Sequence, residues 1–136
     1  MLIVDSNIWA YYFDKDAPEH ARVAGKLEEM IKAEKIAINT VIIMEVGHFL
    51  VKNLGAVIGR DKVEVFLSFP FTVVDMDYDL ALKAVELLAK YSHHGIGGRD
   101  ATILATAKAL GLNRIMTHDR AFERIDWLEV IDPLSE

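Results

Sequence analysis

Short unbroken apolar runs alternate along this chain with longer stretches in which apolar residues recur every third or fourth position. The runs are Met1–Val4, Ile36–Asn39, Phe71–Val74, Arg114–Met116 and Leu128–Ile131. Brief runs without polar alternation predict strands buried on both faces, the habit of parallel sheets. Between them, Val23, Leu27, Met30 and Ile31 predict an amphipathic helix over His20–Ala33. Ile42, Ile43, Val46, Phe49 and Leu50 predict a core helix over Val41–Lys52, with Thr40 as its cap. Gly55 and Gly59 bracket Ala56–Ile58, ahead of a helix-like pattern over Lys62–Phe69 that Pro70 ends. Leu80, Ala84, Leu87 and Leu88 face inward on a helix from Asp77 or Asp79 to Tyr91.

The densest stretch is Gly95–Phe122. It reads as a glycine-rich loop, a helix opening at Asp100 and a stop at Gly111, where glycine alone carries no Cβ penalty at positive φ. The strand Arg114–Met116, Thr117-His118-Asp119 and a helical turn at Arg120–Arg124 follow. The helix is almost bare of polar residues, so little of it faces water. Alternation of strand and helix predicts a three-layer α/β/α sandwich around a mostly parallel sheet of four to five strands. The 136 residues suffice for one domain, spanning 1–136, and are too few for two.

Composition narrows the class. Hydrophobic residues make up 52% of the chain, which rules against disorder. No apolar run approaches the roughly 20 residues of a membrane span. The start, MLIVDSN, lacks the basic leader of a signal peptide, and a soluble cytoplasmic protein is expected. The absence of cysteine removes disulfides, thiol catalysis and cysteine-ligated zinc. A net charge of −6 argues against binding nucleic acid through bulk electrostatics, although carboxylates clustered on a cation would explain part of it.

The carboxylates carry the candidate chemistry. Ligand sites in such sheets lie beyond the carboxyl ends of the strands, at a switch in strand order. Asp5 follows the first strand, and Asp119 follows Arg114–Met116. Asp100 and Glu45 enter on helices near their amino-terminal ends, which abut the same edge. Converging carboxylates repel one another by several kcal/mol at low effective dielectric. A divalent cation with oxygen ligands removes that cost, and Mg²⁺ or Mn²⁺ suits an all-carboxylate set. For Asp5 the structural alternative is a plain N-cap.

The stretches IVDSN, VIIMEV, GGRDATILATA and IMTHDRAF, spread from residue 3 to residue 122, resemble the PIN-domain nuclease family, and within it the small VapC-type toxins of prokaryotic toxin–antitoxin pairs. The resemblance implies that Asp5, Glu45, Asp100 and Asp119 are the acidic metal-binding quartet, and that Ser6 and Thr117 support it. It implies metal-assisted hydrolysis of RNA, an antitoxin partner and a homodimer. Arg99 and Arg120 each adjoin a member of the quartet and are the favoured contacts to RNA phosphates, or else salt-bridge partners tempering the acids.

Rival constellations are weaker. Glu45 and His48 form half of a di-iron motif that has no second copy, so His48 reads as helix packing. His93-His94 reads as a surface pair, and Gly95–Gly98 as an entry loop rather than a dinucleotide fingerprint. The aromatic run Trp9–Phe13 is core, or in part a docking surface. A housekeeping RNA-processing nuclease of the same fold is the nearest alternative function. A metal-binding phosphoacceptor receiver needs paired acids after its first strand, and here Val4 precedes Asp5. A phosphatase of the haloacid dehalogenase type wants an acid where Asn7 stands.

Overall fold

The computed structural model describes residues 1–135. Its elements run β1 (Leu2–Val4), α1 (Ser6–Phe13), α2 (His20–Ala33), β2 (Ile36–Asn39), α3 (Thr40–Leu54), α4 (Ala56–Leu67), β3 (Thr72–Val74), α5 (Tyr78–Tyr91), α6 (Gly98–Leu110), β4 (Arg114–Met116) and β5 (Glu129–Ile131), with 3₁₀ turns at Ser92–His94 and Arg120–Arg124. All strand pairs are parallel, in the order β3-β2-β1-β4-β5. Ile3 stands beside Ala37 on one side and Ile115 on the other. The central position of β1 explains its composition: Leu2, Ile3 and Val4 are wholly buried, as a strand covered on both faces requires.

Strand order fixes the layers. The chain moves from β1 to β2 to β3 in one direction, then returns past β1 to β4. Right-handed crossovers therefore put α1–α4 on one face of the sheet and α5 and α6 on the other. The packing agrees: α1 touches α2 and α3, α3 touches α4, and α5 lies along α6. This is the expected three-layer α/β/α sandwich, with all five strands parallel.

Local details differ from the expectation at the start of α3 and at Gly59. The cap of α3 is Asn39, whose Oδ1 accepts the Ile42 N–H at 2.8 Å. Thr40 is already helical, and its hydroxyl instead accepts the Met76 N–H at 3.0 Å. Gly59 is no boundary but an interior residue of α4, and a Cβ there would stand 2.6 Å from the Val51 Cα. The glycine is what lets α3 and α4 close on each other. Gly111 ends α6 in the left-handed region at φ 67, as expected.

The aromatic run also resolves. Trp9 is fully buried and sits within 5.0–5.3 Å, ring centre to ring centre, of Phe66, Phe69 and Phe71. It is a core anchor, and Tyr11, Tyr12 and Phe13 pack partly buried around the same core. The docking role considered for this segment does not extend to Trp9. His48, expected to pack, is exposed.

Candidate active site

The switch in strand order falls between β1 and β4, and both strands end there in polar residues. Asp5 leaves β1 and caps α1, its Oδ1 accepting the Ser6 N–H at 2.7 Å. The cap reading is thus correct as far as it goes. The other oxygen, Oδ2, accepts the Thr117 hydroxyl at 2.8 Å and the Asn7 amide at 3.4 Å. A solvated cap has no need of that second set of donors. Asp5 is completely buried, and burial is the main cause that pushes its carboxyl above the ordinary 3.8, against the pull of Thr117, Ser6 and Arg99.

Thr117 and Asn7 form a latch across the edge. The Thr117 hydroxyl also accepts the Asn7 amide at 3.2 Å and the Asp119 N–H at 3.0 Å. Asn7 Oδ1 accepts the His118 N–H at 3.2 Å. The sequence singled out Asn7 only as standing where a phosphatase would want an acid. Its position two residues after Asp5 was the available signal, but Thr117 and His118, its partners across the edge, lie more than a hundred residues away. On the neighbouring strand end, the Asn39 amide donates to Thr106 at 3.1 Å, tying α6 to the start of α3.

The helices deliver the other two acids. Asp100 occupies the third position of α6, where its Oδ2 accepts the Gly97 N–H at 3.2 Å, a favourable site for an anion at a helix amino terminus. Glu45 lies one turn into α3. Burial raises its carboxyl above the ordinary 4.5, with Arg99 pulling the other way and Asp5 adding to the rise. Its Oε1 is buried with no hydrogen-bond partner.

Arg99 sits among these acids. Its Nη1 lies 2.8 Å from Glu45 Oε2, and its Nη2 lies 3.5 Å from Asp100 Oδ1. Burial works against the guanidinium charge, but Glu45, Asp5 and Asp100 outweigh it and raise its pKa. Three carboxylates share one guanidinium, so negative charge is left over when all are ionised.

Asp119 is held differently. Its Oδ1 caps the Arg120–Arg124 turn by accepting the Ala121 N–H at 3.0 Å, and its backbone reaches Asp5 only through the Thr117 hydroxyl. Among the described residues no hydrogen bond or ion pair joins its carboxylate to the other three acids. Arg120 is exposed on the same turn. Ser6, the first residue of α1, also lies against Asp5 with its side chain, its hydroxyl donating to Oδ1 at 3.4 Å. His93 is exposed, while His94 is half-buried against the Tyr91 ring at 5.7 Å.

The donors suit a small hard cation: oxygen only, largely withdrawn from water, one of them unpartnered. Among the described residues they are not drawn into the close shell of an ion, and a guanidinium stands between two of them.

Comparison with known proteins bears on the fold and the family. Ribonuclease VapC6 of Methanocaldococcus jannaschii is 29% identical over 73 residues, which cover 53% of this chain and 46% of VapC6, so the chain spans about half the length of that relative. Ribonuclease VapC2 of the same organism is 27% identical over 146 residues, 96% of this chain and 93% of VapC2. The structure of a toxin-antitoxin complex from Klebsiella pneumoniae contains a chain that superposes with a TM-score of 0.73 at 24% identity, covering 98% of both chains. That likeness speaks for the fold. The PIN domain family itself matches residues 2–128, which takes in every strand but the last and all the acids described above, and the chain belongs to that family.

Proposed function

We propose that this chain is a divalent-metal-dependent ribonuclease that hydrolyses RNA phosphodiester bonds, acting as the toxin of a toxin–antitoxin pair. The observation that carries the reading is the gathering of Asp5, Glu45 and Asp100 around a single positive group at the strand-order switch. Three acids from separate elements have no structural reason to share a cleft, since each would be more stable in water. Membership of the PIN family and the similarity to proteins named as ribonucleases support the reaction class.

In this reading Asp5, Glu45 and Asp100 hold Mg²⁺ or Mn²⁺, with Asp119 the fourth member of the set. When bound, the ion supplies a water of lowered pKa and offsets charge on the phosphoryl oxygens. Thr117, Asn7 and Ser6 fix the Asp5 carboxylate, so that no reorientation is needed when substrate arrives. Asp119 stands on the turn that carries Arg120, and Arg99 and Arg120 offer guanidinium forks suited to RNA phosphates.

Partners follow from the surface and from the company this fold keeps. Met44, Val57 and Ile58 on α3 and α4, and Tyr78 and Val85 on α5, are apolar side chains left more than half exposed. Such clusters support a chain that works in complex, with an antitoxin protein and with a second copy of itself. Among the described residues no helix is long and apolar enough to cross a membrane, which is compatible with action on cytoplasmic RNA.

The test is cleavage of total cellular RNA by the purified protein with and without Mg²⁺, beside the Asp100→Asn variant. Metal-dependent cleavage that the variant loses, with its circular dichroism unchanged, supports the nuclease. Cleavage by Asp100→Asn at the wild-type rate removes Asp100 from the site. Recovery of a small partner protein that silences the activity supports the toxin role, and its absence favours an RNA-processing nuclease.

A further inference from the structure

A buried cluster of acids must be neutralised in some way before any ion arrives. Here the neutralising group is part of the chain. Arg99 immediately precedes Asp100, so α6 brings an acid and a base to the cleft together. The guanidinium reaches across to α3 and meets Glu45 Oε2 at 2.8 Å. It leans on Asp100 Oδ1 at 3.5 Å and eases the charge of Asp5. Arg99 forms ion pairs with two of these acids, and its charge lowers the pKa of the third.

We propose that Arg99 is a resident counter-ion: it occupies the cation's place in the metal-free protein, and a divalent ion binds by displacing it. The inference rests on the reading of Asp5, Glu45 and Asp100 as ligands to such an ion.

Three features make the exchange workable. The Arg99 side chain is 48% exposed, whereas those of Glu45 and Asp100 are 20% and 9% exposed. The base can therefore leave for solvent while the acids stay. The long stem of arginine moves without disturbing the backbone of α6. The guanidinium meets only Oε2 of Glu45, so the acid is incompletely satisfied by it. A guanidinium spreads one charge over a planar fork, and a divalent ion concentrates two at a point. The second is the better match for three converging carboxylates, while the first suffices to hold them together without it.

The displaced guanidinium also ends up at the mouth of the cleft, and that bears on substrate. Once the acids are neutralised by the ion, Arg99 is free to pair with a phosphate instead. A single residue then serves the metal-free and the loaded states in turn.

The experiment is calorimetric titration of the full-length protein with Mn²⁺, in parallel with melting of the metal-free protein, for wild type, Arg99→Gln and Arg99→Lys. Removing the competitor is expected to tighten Mn²⁺ binding about tenfold in Arg99→Gln, the value of one charge-assisted contact, and to lower the metal-free melting temperature. Arg99→Lys keeps the charge without the fork and is expected to fall between the two. It carries the test if the glutamine variant fails to fold. Wild-type protein that binds Mn²⁺ while neither variant binds it more tightly overturns the counter-ion role and leaves the metal site standing. Absence of Mn²⁺ binding in wild type and both variants overturns the site and the counter-ion together.

Discussion

The Thr117 hydroxyl donates to Asp5 Oδ2 at 2.8 Å, joining residues 112 positions apart at the ends of two adjacent strands. The bond exists because β1 and β4 are neighbours in register, with Val4 beside Met116 and the Asp5 N–H donating to the Met116 carbonyl at 3.0 Å. The next residue on each strand then meets across the edge. A buried carboxylate becomes tolerable only when its oxygens are matched in this way.

Thr117→Val preserves shape and removes the hydroxyl. It deprives Asp5, Asn7 and the Asp119 backbone of a common partner in a buried place. The expected cost is about 1–3 kcal/mol of stability, read by urea denaturation. Thr117→Ser retains the oxygen and is expected to stay within about 1 kcal/mol of wild type. If the valine variant is as stable as the serine one, the latch contributes nothing.

Close approach of α3 and α4 gives a second prediction. A Cβ on Gly59 would stand 2.6 Å from Val51 Cα and 2.7 Å from the Leu50 carbonyl oxygen, so backbone must move. Overpacking of about 1–3 kcal/mol outweighs the gain of under about 1 kcal/mol that alanine brings to a helix interior. Gly25 is also inside a helix, but nothing lies within 4 Å of an added Cβ. Gly59→Ala is expected to lower the melting temperature and Gly25→Ala to raise it. The same substitution thus takes opposite signs in one protein.

Gly59 also marks the limit of what the sequence conveys. Strands were legible because burial on both faces leaves a local trace, an apolar run such as Leu2-Ile3-Val4. Helix boundaries were less so wherever two residues compete for one role. Asn39 and Thr40 are both capping types, and only the position of Met76 decides that the threonine oxygen is spent elsewhere. A glycine reads as a break until its neighbour helix is known. The acids were visible as a set because strand ends and helix starts share an edge in this topology. Their arrangement was not, because the partner of Glu45 is Arg99, 54 residues on, and no local pattern announces that pairing. The same holds for Asn7, whose side chain is tied to the far end of the chain.

A structural ion pair remote from the cleft supplies a control. Arg114 Nη1 lies 2.7 and 2.6 Å from the two oxygens of Glu34, which also meets the amino terminus at 3.2 Å. The Arg114 hydrogen bond is the main cause that holds the Glu34 carboxyl below its ordinary 4.5. An acid with a depressed folded pKa contributes stability above its unfolded value and loses it as pH falls through the folded one. Glu34→Gln is therefore expected to cost about 1 kcal/mol near neutral pH and progressively less below pH 4.5, measured by denaturation at several pH values. Cleavage of RNA should be unaffected, since Glu34 ends α2 at the opposite, amino-terminal edge of the sheet.

Asp5 and Glu45 behave in the reverse sense. Burial raises both above their ordinary values of 3.8 and 4.5, so the folded protein holds their protons more tightly than the unfolded chain does. Their contribution to the metal-free fold is greatest below those values and is lost as pH rises through the raised ones. A divalent ion needs the carboxylates ionised and competes with the same protons. The melting temperature gained on adding Mn²⁺ is therefore expected to be small near pH 4.5 and to grow towards neutrality. Taking the difference with and without Mn²⁺ at each pH cancels the opposing trend from Glu34, which sees no ion. In Asp5→Asn the increment should be smaller at every pH, since a ligand is gone. A gain that is the same at all pH values, or unchanged in Asp5→Asn, means that the ion binds somewhere other than these acids.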